Sequence, residues 1–160
     1  MRKLLGLALC GAFAAHGALA APTVAIAAFD YSDTSGEVRD QRAAHAARLD
    51  ALDASIGAAL QQSGRFTPVK LACATPPCSA HEMDQDSMVA AARAQHARFV
   101  VFGGVHKMST LIQWGQVDVM DAETGKQVLS RLVTFRGDTD DAWDHAASYI
   151  GDMLVQALHG

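Results

Sequence analysis

Arg98-Phe-Val-Val-Phe-Gly-Gly-Val105 is the stretch on which the fold turns. Its apolar run is continuous rather than alternating, so a strand formed here is expected to have both faces buried. Downstream, residues 111–121 and 126–136 read as two further strands joined by Asp121-Ala-Glu-Thr-Gly125, with Gly placed where a hairpin loop needs positive φ. Upstream, an alanine-rich helix is expected over 87–95. Before that, Arg65-Phe-Thr-Pro-Val-Lys70 is a short strand whose Pro68 suits a sheet edge.

Thr23-Val-Ala-Ile-Ala-Ala-Phe29 opens the folded part as a buried strand, followed by a polar loop over 30–36. Between 41 and 62 the period becomes helical: Leu49, Leu52, Ile56, Ala59 and Leu60 recur at three- and four-residue spacing. Ser63-Gly64 ends that helix. At the far end Asp138-Thr-Asp-Asp141 reads as an N-cap, Asp138, with an acidic third position. It opens a helix with Trp143, Ala147, Ile150, Met153, Leu154 and Leu158 on one face. The expected fold is therefore an α/β single domain over 21–160, of three layers or two, with a mixed five-stranded sheet and three helices. Counting strands in chain order, right-handed crossovers give the order 2-1-3-4-5 with strand 4 antiparallel.

Residues 1–20 have the form of a cleaved signal peptide. Arg2 and Lys3 precede an uncharged apolar run, and Ala18-Leu19-Ala20 is a small-x-small cleavage site. The apolar run is shorter than the ~20 residues a membrane span requires. Cys10 follows Leu9, where a lipid-anchored cysteine needs a small neighbour, so Cys10 is assigned to the leader and the mature chain to the periplasm without a lipid. The full chain has formal charge −4. Loss of Arg2 and Lys3 takes it to −6, which disfavours nucleic acid and anionic membrane surfaces as partners. In an oxidising compartment, Cys73 and Cys78 are expected as a disulfide closing a loop stiffened by Pro76-Pro77.

Leu60-Gln-Gln-Ser-Gly-Arg-Phe66, Ala97-Arg-Phe-Val-Val-Phe-Gly103 and Asp121-Ala-Glu-Thr-Gly-Lys126 resemble secreted domains related to the N-terminal domain of TolB. The same pieces resemble the curli and flagellar accessory lipoproteins. Gly104-Val-His-Lys-Met-Ser-Thr-Leu-Ile112 and Phe135-Arg-Gly-Asp-Thr-Asp-Asp-Ala-Trp143 resemble a family of secreted domains of unknown function with a paired-cysteine loop before the second helix. The resemblance implies an assembly or binding part rather than an enzyme, with no cofactor.

Several side-chain groupings carry competing readings. Cys78-Ser-Ala-His-Glu-Met83 would suit Cu(I) if the thiols were free, through Cys73, Cys78, His81 and Met83. A disulfide leaves only His81 and Met83. Glu82, Asp84 and Asp86 suit a helix N-terminus better than Ca²⁺, since the EF-hand spacing is absent. His145 with Asp144, Ser109 and Ser130 lacks a nucleophile elbow, and Gly103-Gly104 lacks the spacing of a phosphate loop.

Trp114 is the candidate for binding. Val117 and Val119 mark one face of its strand, so alternation puts 111, 113 and 115 with them and leaves Ile112, Trp114, Gln116, Asp118 and Met120 on the other. Uncovered, that face is a partner patch; beneath a helix it is core. His106 and Lys107, just beyond the central strand, are grouped with it because α/β sheets bind ligands at the carboxyl ends of parallel strands. The expected activity is a non-enzymatic periplasmic binding or assembly module whose partner is an envelope protein. An exposed sheet edge also offers a route to a homodimer. The competing class is a copper- or redox-handling protein built on the cysteine loop.

Overall fold

The computed structural model describes residues 20–158. The expected leader, its cleavage site and Cys10 lie outside them, apart from Ala20. Nine elements follow in order: β1 (Thr23–Ile26), β2 (Asp30–Asp33), α1 (Arg42–Gln62), β3 (Thr67–Lys70), α2 (Gln85–Ala94), β4 (Phe99–Lys107), β5 (Ile112–Asp121), β6 (Lys126–Arg136) and α3 (Asp140–Ala157). The sheet runs β3-β1-β4-β5-β6, with β2 also paired to β4. β1, β2 and β3 run parallel to their neighbours, while β4, β5 and β6 form an antiparallel meander.

The expected five strands are corrected to six, and the order changes accordingly. β1 and β2 both lie along β4, Val24 to Ile26 opposite Phe99 to Val101 and Asp30 to Asp33 opposite Gly104 to Lys107. Between them the chain swings out at Ala28, whose N–H donates to the Cys78 carbonyl at 2.9 Å. β2 reads as loop because β3 ends before it, leaving β2 at an edge where Asp30, Ser32 and Asp33 meet water. Pro68 sits on β3, the outer strand of that same edge, where its missing N–H costs nothing. The last helix is capped by Thr139, whose hydroxyl accepts from the Ala142 N–H, rather than by Asp138. The second begins at Gln85, two residues before the expected start, with Asp84 as its cap.

Two cores flank the sheet. On one face α1 and α3 set Leu52, Ile56, Leu60, Trp143, Ile150 and Leu154 against Val101, Val117 and Val119. On the other, α2 sets Met88, Val89 and Ala92 against Ala25, Val100, Phe102 and Met120. The lengths decide what remains uncovered. α2 has 10 residues, about 15 Å at the helical rise, whereas β5 has 10 residues at about 3.3 Å each. One short helix therefore covers about half of that face, and the half near Trp114 is open.

At the hairpin, Gly125 has φ +68°, the left-handed conformation its position requires. The two large helices meet closely at Gly151, where an added Cβ would lie 2.5 Å from the Ala59 Cβ.

Candidate functional site

The open half-face is built by period-two alternation across four strands. His106 on β4 is opposite Ser32 on β2 and Trp114 on β5, and Trp114 is opposite Thr134 on β6. Trp114 is 39% exposed, Ile112 37% and Leu132, on the neighbouring strand, 59%. Such a cluster on one surface differs from isolated apolar residues, which need no explanation. His106 is fixed from both sides, its Nδ1 2.7 Å from Ser32 Oγ and its Nε2 2.9 Å from Thr34 Oγ1. Its ring lies 6.1 Å from that of Trp114. Gln116 donates to Asp118 and Ser130, and Gln127 donates to Asp118. A shallow depression of about 470 Å³, lined in part by Ser32, His81, Phe102, Gly104 and Gln116, continues this face toward the disulfide loop.

The grouping expected from sequence is thus redrawn. Trp114, Ile112 and His106 share the open face, and Leu132 joins them. Met120 does not, because α2 covers it and leaves 6% exposed, just past the register shift between Val119 and Met120. Leu111 is 66% exposed, since β5 begins only at Ile112 and the alternation does not reach it. Lys107 is corrected from surface to interior: it has the parity of Val105 and points under α1 and α3, wholly buried.

Lys107 belongs to a polar cluster at the carboxyl end of β4. Its ammonium donates to Glu37 and, at 2.6 Å, to Asp138 Oδ2. Asp138 also takes His45 Nε2 at 2.9 Å and Arg48 Nη1 at 2.7 Å. The Gln113 amide donates to the Gly137 carbonyl at 2.7 Å. His45 stacks on Tyr31 with ring centroids 4.4 Å apart. Burial alone would raise the Asp138 carboxyl, but hydrogen bonds from Lys107 and His45 outweigh it and hold it at about 2. Burial would likewise lower Lys107, and its bonds to Asp138 and Glu37 outweigh that and raise it. Tyr31 is pushed up by burial and by the nearby charges of Asp33 and Asp138. The cluster ties the 33–41 loop and the starts of α1 and α3 to the sheet, so it shapes the end of the molecule next to the open face.

Cys73 and Cys78 are joined as a disulfide. His81 donates its backbone N–H to Asp30 Oδ2 at 2.9 Å. Among the described residues no three His, Cys, Asp or Glu side chains gather at metal-binding distance, and nothing supports the copper alternative. Ser130 lies on the open face, whereas His145 projects from α3 beside β6 on the opposite side of the sheet. No described helix is long and apolar enough to cross a membrane.

A mixed sheet with two helices on one face and one short helix on the other defines an α/β domain of the kind found in TolB and PelC. The chain belongs to the DUF3280 family, described as protein of unknown function (DUF2380), which it matches over residues 22–153. A PelC dodecamer from Paraburkholderia phytofirmans is similar at 16% identity, with 86% of this chain and 87% of that chain covered and a TM-score of 0.56. TolB from Acinetobacter baumannii is similar at 18% identity and a TM-score of 0.54; the match covers 88% of this chain but 29% of TolB. Lipoprotein GNA1162 from Neisseria meningitidis has 13% identity, 86% and 99% coverage, and a TM-score of 0.50. At these identities it is the structural superpositions that show a shared fold. No curated protein matches the chain.

Proposed function

We propose that this protein is a non-enzymatic binding module of the bacterial periplasm, recognising a protein partner through the open half-face of its sheet. The observation that carries the reading is the uncovered Trp114, seated beside Ile112 and Leu132 and held against a His106 immobilised by two hydroxyl contacts. A large aromatic side chain on a rigid strand, rimmed by polar groups, has the character of a binding hot spot. The compartment is supported by the leader-like residues 1–20 and by the Cys73–Cys78 disulfide. Use of such a domain in assemblies has a parallel in PelC, which forms a dodecamer.

The test is affinity capture from the native periplasm with wild-type protein and Trp114→Ala in parallel. A discrete partner held by wild type and lost from the variant is the expected result. Equal recovery by both forms overturns the reading.

A further inference from the structure

We propose that the free edge of β6 accepts an extended, acidic segment of a partner polypeptide as an additional strand. This rests on the protein-binding reading above and names the chemistry of the partner. β6 ends the sheet, and its 11 residues make it the longest strand in the molecule. No backbone group on its outer side has a hydrogen-bond partner among the described residues, apart from the Lys126 N–H, which donates to the Thr124 hydroxyl. An edge of this length presents a row of unpaired donors and acceptors, which templates strand addition.

Charge selects the occupant. β6, Lys-Gln-Val-Leu-Ser-Arg-Leu-Val-Thr-Phe-Arg, carries Lys126, Arg131 and Arg136 and no acidic residue, in a chain whose formal charge is −4. All three cations are exposed and none forms an ion pair with a described residue, whereas Arg42, Arg48, Arg98 and Lys107 are each paired with carboxylates. Their spacing disfavours a second copy of this chain. Full-length antiparallel self-pairing centred on Arg131 sets Arg131 opposite Arg131 and Lys126 opposite Arg136, which places every cation against a like charge.

Edge cations alone are an ordinary guard against self-association. Here exposed apolar side chains flank the edge on both faces, which a pure guard does not need. Leu132 lies on the open face, and on the helix side a groove of about 420 Å³ runs between β6 and α3, lined by Phe135, Arg136, His145 and Tyr149 among others. Tyr149 is 60% exposed. An incoming strand with alternating side chains would place apolar groups against Leu132 and Tyr149 and carboxylates within reach of the three cations.

The probe is a synthetic peptide of alternating Glu and Val, roughly ten residues to match β6. It is compared with the Lys–Val peptide and with a Glu–Val peptide N-methylated at every second residue. Calorimetry is read together with amide exchange along β6. The Glu–Val peptide should bind and slow exchange of the outer β6 amides, with about tenfold weaker binding for either control. Arg131→Glu with Arg136→Glu should invert the charge preference. Equal binding of Glu–Val and Lys–Val peptides, no loss on N-methylation, or sedimentation as a dimer with β6 already protected each overturns the proposal. If periplasmic capture depends on Trp114 but is unchanged by the two arginine substitutions, the binding reading stands and the edge assignment fails.

Discussion

Lys107 and Asp138, 31 residues apart in sequence, meet 2.6 Å apart in the interior, and no part of Lys107 reaches solvent. The pair joins the end of β4 to the residue just before the α3 cap, and Glu37 closes it from the preceding loop. Removing the ammonium would leave Glu37 without its cation and Asp138 held only by Arg48 and His45, around a pocket that has lost its charge. Lys107→Met, which keeps the aliphatic stem, is therefore expected to lower unfolding free energy by about 3–5 kcal/mol in urea titration. A loss below about 1 kcal/mol would mean that water screens the cluster as it screens a surface pair.

A second buried carboxylate acts in the opposite sense. Asp53 on α1 is pushed up from 3.8 to about 6, chiefly by burial, with a backbone bond from the Phe29 N–H pulling against it. Its Oδ1 is buried without a partner. A raised folded-state value means the native protein binds the proton more tightly. The stability from this group is complete below 3.8 and is lost as pH rises through 6. Asp53→Asn removes the charge and keeps an acceptor for Phe29. The variant is expected to be more stable than wild type at pH 7, by about 1–3 kcal/mol, with the two curves merging below about pH 4. A constant difference across that range would place the effect in packing rather than ionisation.

What could be read from sequence, and what could not, follows from which faces of each element are buried. β4 announces itself because Phe99, Val100, Val101 and Phe102 are all buried, two under each layer of helices. β2 hides because its Asp30, Ser32 and Asp33 face solvent at an edge, and polar alternation there reads as loop. The exposure of Trp114 depends on α2 stopping at Ala94, a length that periodicity does not set. Lys107 carried a usable signal: it shares parity with Val101 and Val105, and alternation places it inside. Its charge spoke for the surface, and only Asp138 and Glu37, remote in sequence, reverse that. Gln113 shows the same logic: counted with Val117 and Val119 by alternation, it is 1% exposed.

The Cys73–Cys78 bridge closes a short loop against α2, with Cys78 itself 7% exposed in the smaller core. On chain-entropy grounds so small a loop contributes about 2 kcal/mol. Cys73→Ser with Cys78→Ser should cost about that amount in urea unfolding and leave the sheet intact by circular dichroism. Peptide mapping of protein from an oxidising compartment should find neither cysteine free. Recovery of both as thiols, with copper bound, would return the cysteine loop to consideration as a metal site.

The contact between α1 and α3 gives the most specific packing prediction. A Cβ on Gly151 would lie 2.5 Å from the Ala59 Cβ, far inside ordinary contact, so Gly151→Ala must move one helix against the other. Two effects compete: alanine favours the helix by up to about 1 kcal/mol over glycine, whereas overpacking costs about 1–3 kcal/mol. Overpacking should win because both partners are backbone-anchored methyls with no rotamer to yield. Gly151→Ala is therefore expected to destabilise by about 1–2 kcal/mol in urea unfolding. Ala59→Gly alone should cost up to about 1 kcal/mol through propensity. Combined, Ala59→Gly supplies the space that the new methyl on residue 151 requires, so the double variant should lose less than the sum of the two singles. Strict additivity across that cycle would show that the helices separate without strain and that Gly151 is not what sets their distance.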